Sequence, residues 1–107
     1  MIFGDVVLIE FPHTSTEKSK KRPALVVVDP DDGDILLARI CSKSFGSNYE
    51  TTVQSWGSAG LMLPSFVRLH KLATLQKSMI YKHLGKLEND DLQQVRSKLK
   101  EMFENLA

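Results

Sequence analysis

The chain has 107 residues, 42% of them apolar and 25% charged, with a formal net charge of +1. That length builds a single domain, expected to span 1–107, and excludes two independent cores. The near-zero net charge excludes polyanion binding through the overall field, so any case for nucleic acid has to rest on where the charges lie.

In chain order, Val6 to Phe11 is the first run of β-branched and apolar residues, opened by Gly4-Asp5 and stopped by Pro12. It reads as a strand. A polar loop from Thr14 to Lys21 follows, and Arg22-Pro23 leads into a second strand ending at Val28. Pro23 suits a strand start, where its missing N–H costs no ladder bond. The loop and its exit carry Lys18, Lys20, Lys21 and Arg22 against one acid, Glu17. Such a patch carries self-repulsion and fits a polyanionic partner.

Asp29-Pro30-Asp31-Asp32-Gly33-Asp34 reads as a turn, and Ile35 to Cys41 as the returning strand of a hairpin. Gly46 to Tyr49 is polar loop, Thr51 to Gln54 a short strand, and Gly57 to Gly60 a break. Ser65 to Leu75 is expected as a long strand with one wet face, on which Arg68 and His70 share a parity and Lys71 does not. One helical turn over Lys77 to Lys82 and a short strand over Lys82 to Leu87 complete the sheet. Leu92, Val95, Leu99, Met102, Phe103 and Leu106 recur at helical spacing, with Asn89 as cap and Asp90 and Asp91 at the positive end of the dipole. Between Thr51 and Leu87 there is no acid, whereas Arg68, Lys71, Lys77, Lys82 and Lys86 lie there. Two basic regions on a neutral chain fit one positive face. The expected architecture is mainly β with a C-terminal α-helix, in a small, strongly bent antiparallel sheet or barrel.

Cys41 is the only cysteine, so no internal disulfide forms. No apolar run approaches the ~20 residues of a membrane span, and no signal-like leader opens the sequence. A cytoplasmic protein without membrane contact is expected. No spacing of His, Cys or carboxylates resembles a metal site.

The string GDVVLIEFP, the basic loop and KKRPALVVV, followed by LLARICSKS, GLMLPSFVRLHKLATLQKSMI and HLGKL, resembles the PemK/MazF family of toxin endoribonucleases, in its PemK-like branch. The resemblance spans nearly the whole chain, and the order of segments carries it more than any one of them. It implies an SH3-like barrel, commonly a homodimer, that cuts single-stranded RNA without a metal or cofactor. The 2′-hydroxyl attacks the adjacent phosphorus and leaves a 2′,3′-cyclic phosphate. It further implies a cognate antitoxin as partner, with operator DNA bound only through that antitoxin.

By the same resemblance the arginine of the Arg-Pro pair, Arg22, is catalytic. A guanidinium stays protonated and offers two parallel donors to phosphate oxygens, so it stabilises charge that grows in the transition state. A second catalytic position, threonine in the family, falls on Cys41, with Ser42 after it. A thiol is the poorer hydrogen-bond donor. Either Ser42 takes over the hydroxyl role, or Cys41 works weakly, or the enzyme is attenuated. A strand end at this point would let both residues face the phosphate. Lys18, Lys20, Lys21, Lys43 and Arg68 are the candidate RNA contacts, by charge and without sequence choice. His70 and His13 are weaker candidates for proton transfer, and Trp56 reads as a core aromatic before a base-stacking one. The alternative function is a catalytically inactive member that only binds an antitoxin or another protein, favoured by the lost threonine as Arg22 and the basic loop favour the enzyme.

Overall fold

The computed structural model describes residues 1–11, 20–104 and 106. Six strands and one helix follow in order: β1 (Asp5–Phe11), β2 (Lys20–Val28), β3 (Asp34–Cys41), β4 (Glu50–Val53), β5 (Ser65–Gln76), β6 (Ile80–Lys86) and α1 (Asn89–Glu104). A three-residue 3₁₀ turn, Lys77–Met79, joins β5 to β6. The expected elements are all present; the last strand begins at Ile80 rather than Lys82, because the helical turn before it is shorter than anticipated.

All strands pair antiparallel in one sheet of order β4-β5-β3-β2-β1-β6. That order forces curvature. In a flat sheet β5 and β6 would stand about 19 Å apart, four inter-strand steps. The 3₁₀ turn between them spans only about 6 Å. The sheet therefore rolls up until its ends approach, giving a strongly bent, barrel-like sheet in which β4 and β6 remain unpaired with each other. β5 bends with it: Ala38 pairs Leu72 but the next pair is Arg39 with Arg68, so β5 carries a bulge over residues 69–71.

Rolling buries both sides of the central strands. Val6, Leu25, Ala38, Ile40, Val53, Val67 and Leu69 pack on one side, and Val7, Ile9, Ala24, Val26, Ile35 and Leu37 on the other. Neighbours such as Val6 and Val7 face opposite ways. This is why β1 reads as a continuous apolar run rather than an alternation. Trp56 packs on the first cluster, as a core aromatic does.

α1 covers the first cluster with Leu92, Val95, Leu99 and Met102. Phe103 and Leu106, expected on the same stripe, are 54% and 75% exposed. Met102 is thus the last residue of the stripe that packs on the sheet, and α1 runs to Glu104. Near the other end the Asp91 carboxylate is buried and accepts the backbone N–H groups of Gln54 and Ser55, each at 2.9 Å. It thus closes the end of β4 instead of only meeting the helix dipole. The first helical bond runs from Leu92 N–H to the Glu88 carbonyl, one residue before the expected cap.

The β2–β3 hairpin turn uses Asp31 at φ +59° and Gly33 at φ +94°. Asp29 is more than a turn former: its carboxylate meets the Lys77 ammonium at 2.8 Å and ties the hairpin to the β5–β6 turn. Lys77 holds that carboxyl well below the usual carboxylate range.

Candidate active site

The site lies where two ladders part. β2 pairs with β3 as far as Ala24–Arg39, yet both strands continue beyond that pair. β2 carries on with β1, through Pro23–Leu8, Arg22–Ile9, Lys21–Glu10 and Lys20–Phe11. β3 carries on with β5, through Ile40–Val67 and Cys41–Phe66. A fork opens between the two pairs, and its mouth is a cleft of about 590 Å³.

Lys21, Arg22, Cys41, Ser42 and Lys43 all line this cleft. β3 ends at Cys41, so the strand alternation that would send Cys41 and Ser42 to opposite faces lapses there. Arg39, of the same parity as Cys41, and Lys82 of β6 add two further cations to the lining. Among the described residues no acid pairs with Arg22, and no acid lines the cleft. Arg22, Pro23 and Arg39 also border a second, more apolar cleft of about 460 Å³, so both arginines stand on the ridge between the two. Lys21 is partly engaged: its ammonium lies 3.6 Å from Glu10 and 4.6 Å from the centre of the Tyr81 ring.

The far wall comes from residues 60–63. Gly60 at φ +85° lies so close to β6 that a Cβ would run into the Leu84 carbonyl. This packing fixes the following residues, and Met62 and Leu63 stand at the cleft with 88% and 57% exposure.

The near wall is the turn after β3. The Glu50 carboxylate accepts the Ser44 hydroxyl at 2.6 Å, the Gly46 N–H at 2.9 Å and the Phe45 N–H at 3.2 Å. The Ser44 hydrogen bond first, and these backbone donors after it, hold the Glu50 carboxyl below its ordinary value. The turn presents Lys43 and Phe45 to the cleft.

The other described sequence candidates fall outside this lining. Lys18 and His13 lie outside the described residues. Lys20 opens β2, exposed, next to Lys21. Arg68 reaches the site only through Phe45: its guanidinium carbon lies 4.0 Å from the ring centre, and one of its nitrogens is 3.4 Å from His70 Nε2. His70 is further packed against the Tyr49 ring, and His83 faces Asp5 at 3.4 Å. Neither histidine lines the cleft. Among the described residues no group of three His, Cys, Asp or Glu side chains could hold a metal ion. Nor is any helix among them long and apolar enough to cross a membrane.

Sequence reasoning missed Arg39, Phe45 and Glu50. Arg39 was within reach, since it sits two residues before Cys41 and so shares its side of β3. Glu50 and Phe45 carried no local signal; their roles depend on a turn whose geometry spacing does not give.

The described residues thus form a six-stranded rolled sheet with a forked, cationic cleft and one covering helix. The sequence matches, over residues 3–103, the family described as PemK-like, MazF-like toxin of type II toxin–antitoxin systems, and the chain belongs to that family. No curated protein sequence matches significantly. Solved structures agree on the fold. A MazE–MazF crystal structure from Deinococcus radiodurans has a TM-score of 0.77 at 21% identity, over 97% of this chain and 96% of that one. An endoribonuclease in complex with its cognate antitoxin, from a mycobacterial species, gives 0.75 at 14% identity over 100% and 98%. The Mycobacterium tuberculosis toxin MazF-mt6 gives 0.72 at 19% over 92% and 96%.

Proposed function

We propose that this chain is an endoribonuclease toxin that cuts single-stranded RNA, with Arg22 stabilising the transition state. The observation that carries this reading is Arg22 itself, without an acidic partner among the described residues and on the lip of a cleft lined also by Cys41, Ser42 and Lys43. A phosphodiester in the fork would meet the Arg22 fork of donors on its non-bridging oxygens. The 2′-oxygen attacks phosphorus and gives up its proton as the P–O5′ bond breaks. The 5′-oxygen gains a proton, and the products are a 2′,3′-cyclic phosphate and a 5′-hydroxyl. Arg22 stabilises the charge that builds on the phosphorane oxygens, and the Ser42 hydroxyl, on the same cleft lining, donates a further hydrogen bond in place of the family threonine. Lys18, Lys20, Lys21, Lys43 and Arg68 supply salt-sensitive affinity along the strand. The family resemblance supports a metal-independent reaction.

The same reading gives the chain a cognate antitoxin and a second copy as protein partners, with operator DNA reached through the antitoxin. The exposed Met62 and Leu63 at the cleft supply apolar surface for such a contact. Two solved relatives are toxin–antitoxin complexes.

A second reading rests on Cys41: an inactive member that only binds protein. Incubating the purified chain with mixed single-stranded RNA in EDTA separates the two. Discrete cuts ending in cyclic phosphate, lost in Arg22→Ala, support the enzyme. RNA left intact at high protein concentration supports the binding protein.

A further inference from the structure

We propose that Phe45 is a stacking platform for an unpaired nucleobase next to the scissile phosphate, an inference that rests on the RNA-cleaving reading above. Phe45 is 52% exposed, belongs to neither apolar cluster and lines the cleft. Among the described residues it is the one aromatic side chain in that lining. Holding an exposed aromatic ring in one orientation costs side-chain entropy, and a ring so ordered is pre-organised for a ligand that stacks on it. Phe45 is held twice. Its backbone N–H and that of Gly46 are fixed on the Glu50 carboxylate, with Gly46 at φ +67° turning the chain. Its ring is held by Arg68, whose guanidinium carbon at 4.0 Å from the ring centre must lie over the face rather than at the edge.

The surroundings fit a nucleotide. Lys43 stands 5.5 Å from the ring centre, and the same cleft holds Arg22 and Ser42. A base on Phe45 would therefore bring its own phosphate among these donors. Among the described residues Arg68 Nε is buried without a hydrogen-bond partner and another Arg68 nitrogen meets His70 Nε2 at 3.4 Å, so that contact and the Phe45 ring together hold Arg68 in place. Every base has a π-face, so such a platform adds affinity and register without reading base edges.

The test uses short single-stranded oligonucleotides with 2′-deoxy sugars, which cannot undergo transesterification, each with one 2-aminopurine at a different position. The wild-type chain is expected to quench the fluorophore strongly at one position. Phe45→Leu should abolish that quenching and weaken binding by about tenfold, the effect of losing one stacked base, with an unchanged melting temperature. Phe45→Trp should restore both. Quenching and affinity unchanged in Phe45→Leu would overturn the proposal, even if the wild type cuts RNA, and would leave the ring as a protein contact. Position-specific quenching that depends on Phe45, in a protein that never cuts RNA, would uphold the platform and defeat the ribonuclease reading. A wild type that binds none of the oligonucleotides would overturn the platform, while the ribonuclease reading stands or falls with RNA cleavage in EDTA.

Discussion

The Glu50 carboxylate and the Ser44 hydroxyl stand 2.6 Å apart, and their hydrogen bond closes the turn that carries Lys43 and Phe45 to the cleft. Because this carboxyl titrates below its ordinary value in the fold, its stabilisation is full above the unfolded carboxylate range and fades as pH falls through the lowered folded value. Glu50→Gln should lower stability at neutral pH by about 1 kcal/mol, discounted for solvent screening. That deficit should shrink to nothing in acid. Thermal melts of both proteins across pH 7 to 3 measure it; a constant deficit would show that charge on Glu50 is irrelevant.

Asp91 is a stability determinant remote from the cleft. Its buried carboxylate is the acceptor for two backbone donors at the end of β4. Asp91→Ala should cost about 2–3 kcal/mol, since unsatisfied buried donors carry that order of penalty. Urea denaturation reads this directly. Asp90→Ala, at the exposed neighbour, should leave the midpoint nearly unchanged.

Gly60 and Gly57 make a matched pair in one loop. Gly60 combines φ +85° with contact against Leu84, whereas a Cβ on Gly57 would meet open space. Gly60→Ala should destabilise by about 2 kcal/mol or more, combining left-handed strain with the clash, and should disturb the cleft wall at residues 61–63. Gly57→Ala should be close to neutral. Equal melting temperatures for the two variants would refute the close approach to β6.

Much of this architecture was legible because strand and helix periods are local properties. Val6 to Phe11 announced a strand, and the Leu92–Val95–Leu99–Met102 stripe announced a packed helix. Arg22, Cys41, Ser42 and Lys43 could be named together only through the family resemblance, since nothing in the spacing of positions 22 and 41 says that they share a cleft. That follows from a sheet fork set by which strands stop pairing. Phe103 and Leu106 misled because a periodic pattern does not reveal where the partner surface ends. Glu50 and Phe45 were invisible because a turn stitched by one distant carboxylate leaves no mark of periodicity.

Cys41 occupies the position where the family resemblance implies threonine, at the end of β3 and on the cleft wall. A hydroxyl donates a stronger hydrogen bond than a thiol. Cys41→Thr should therefore raise the RNA cleavage rate, by roughly fivefold for one improved hydrogen bond. Ser42→Ala should lower it if Ser42 has taken over the role. A Cys41→Thr rate equal to wild type would remove Cys41 from the catalytic account.

The central claim concerns the guanidinium of Arg22, and single-turnover cleavage of one RNA by wild type, Arg22→Lys and Arg22→Ala tests it most directly. The account predicts a fall in the cleavage rate of roughly 100-fold or more for Arg22→Ala, with Arg22→Lys in between because it keeps the charge but loses the paired donors. Affinity for an uncleavable oligonucleotide should change far less. Cleavage by Arg22→Ala at the wild-type rate would contradict the account.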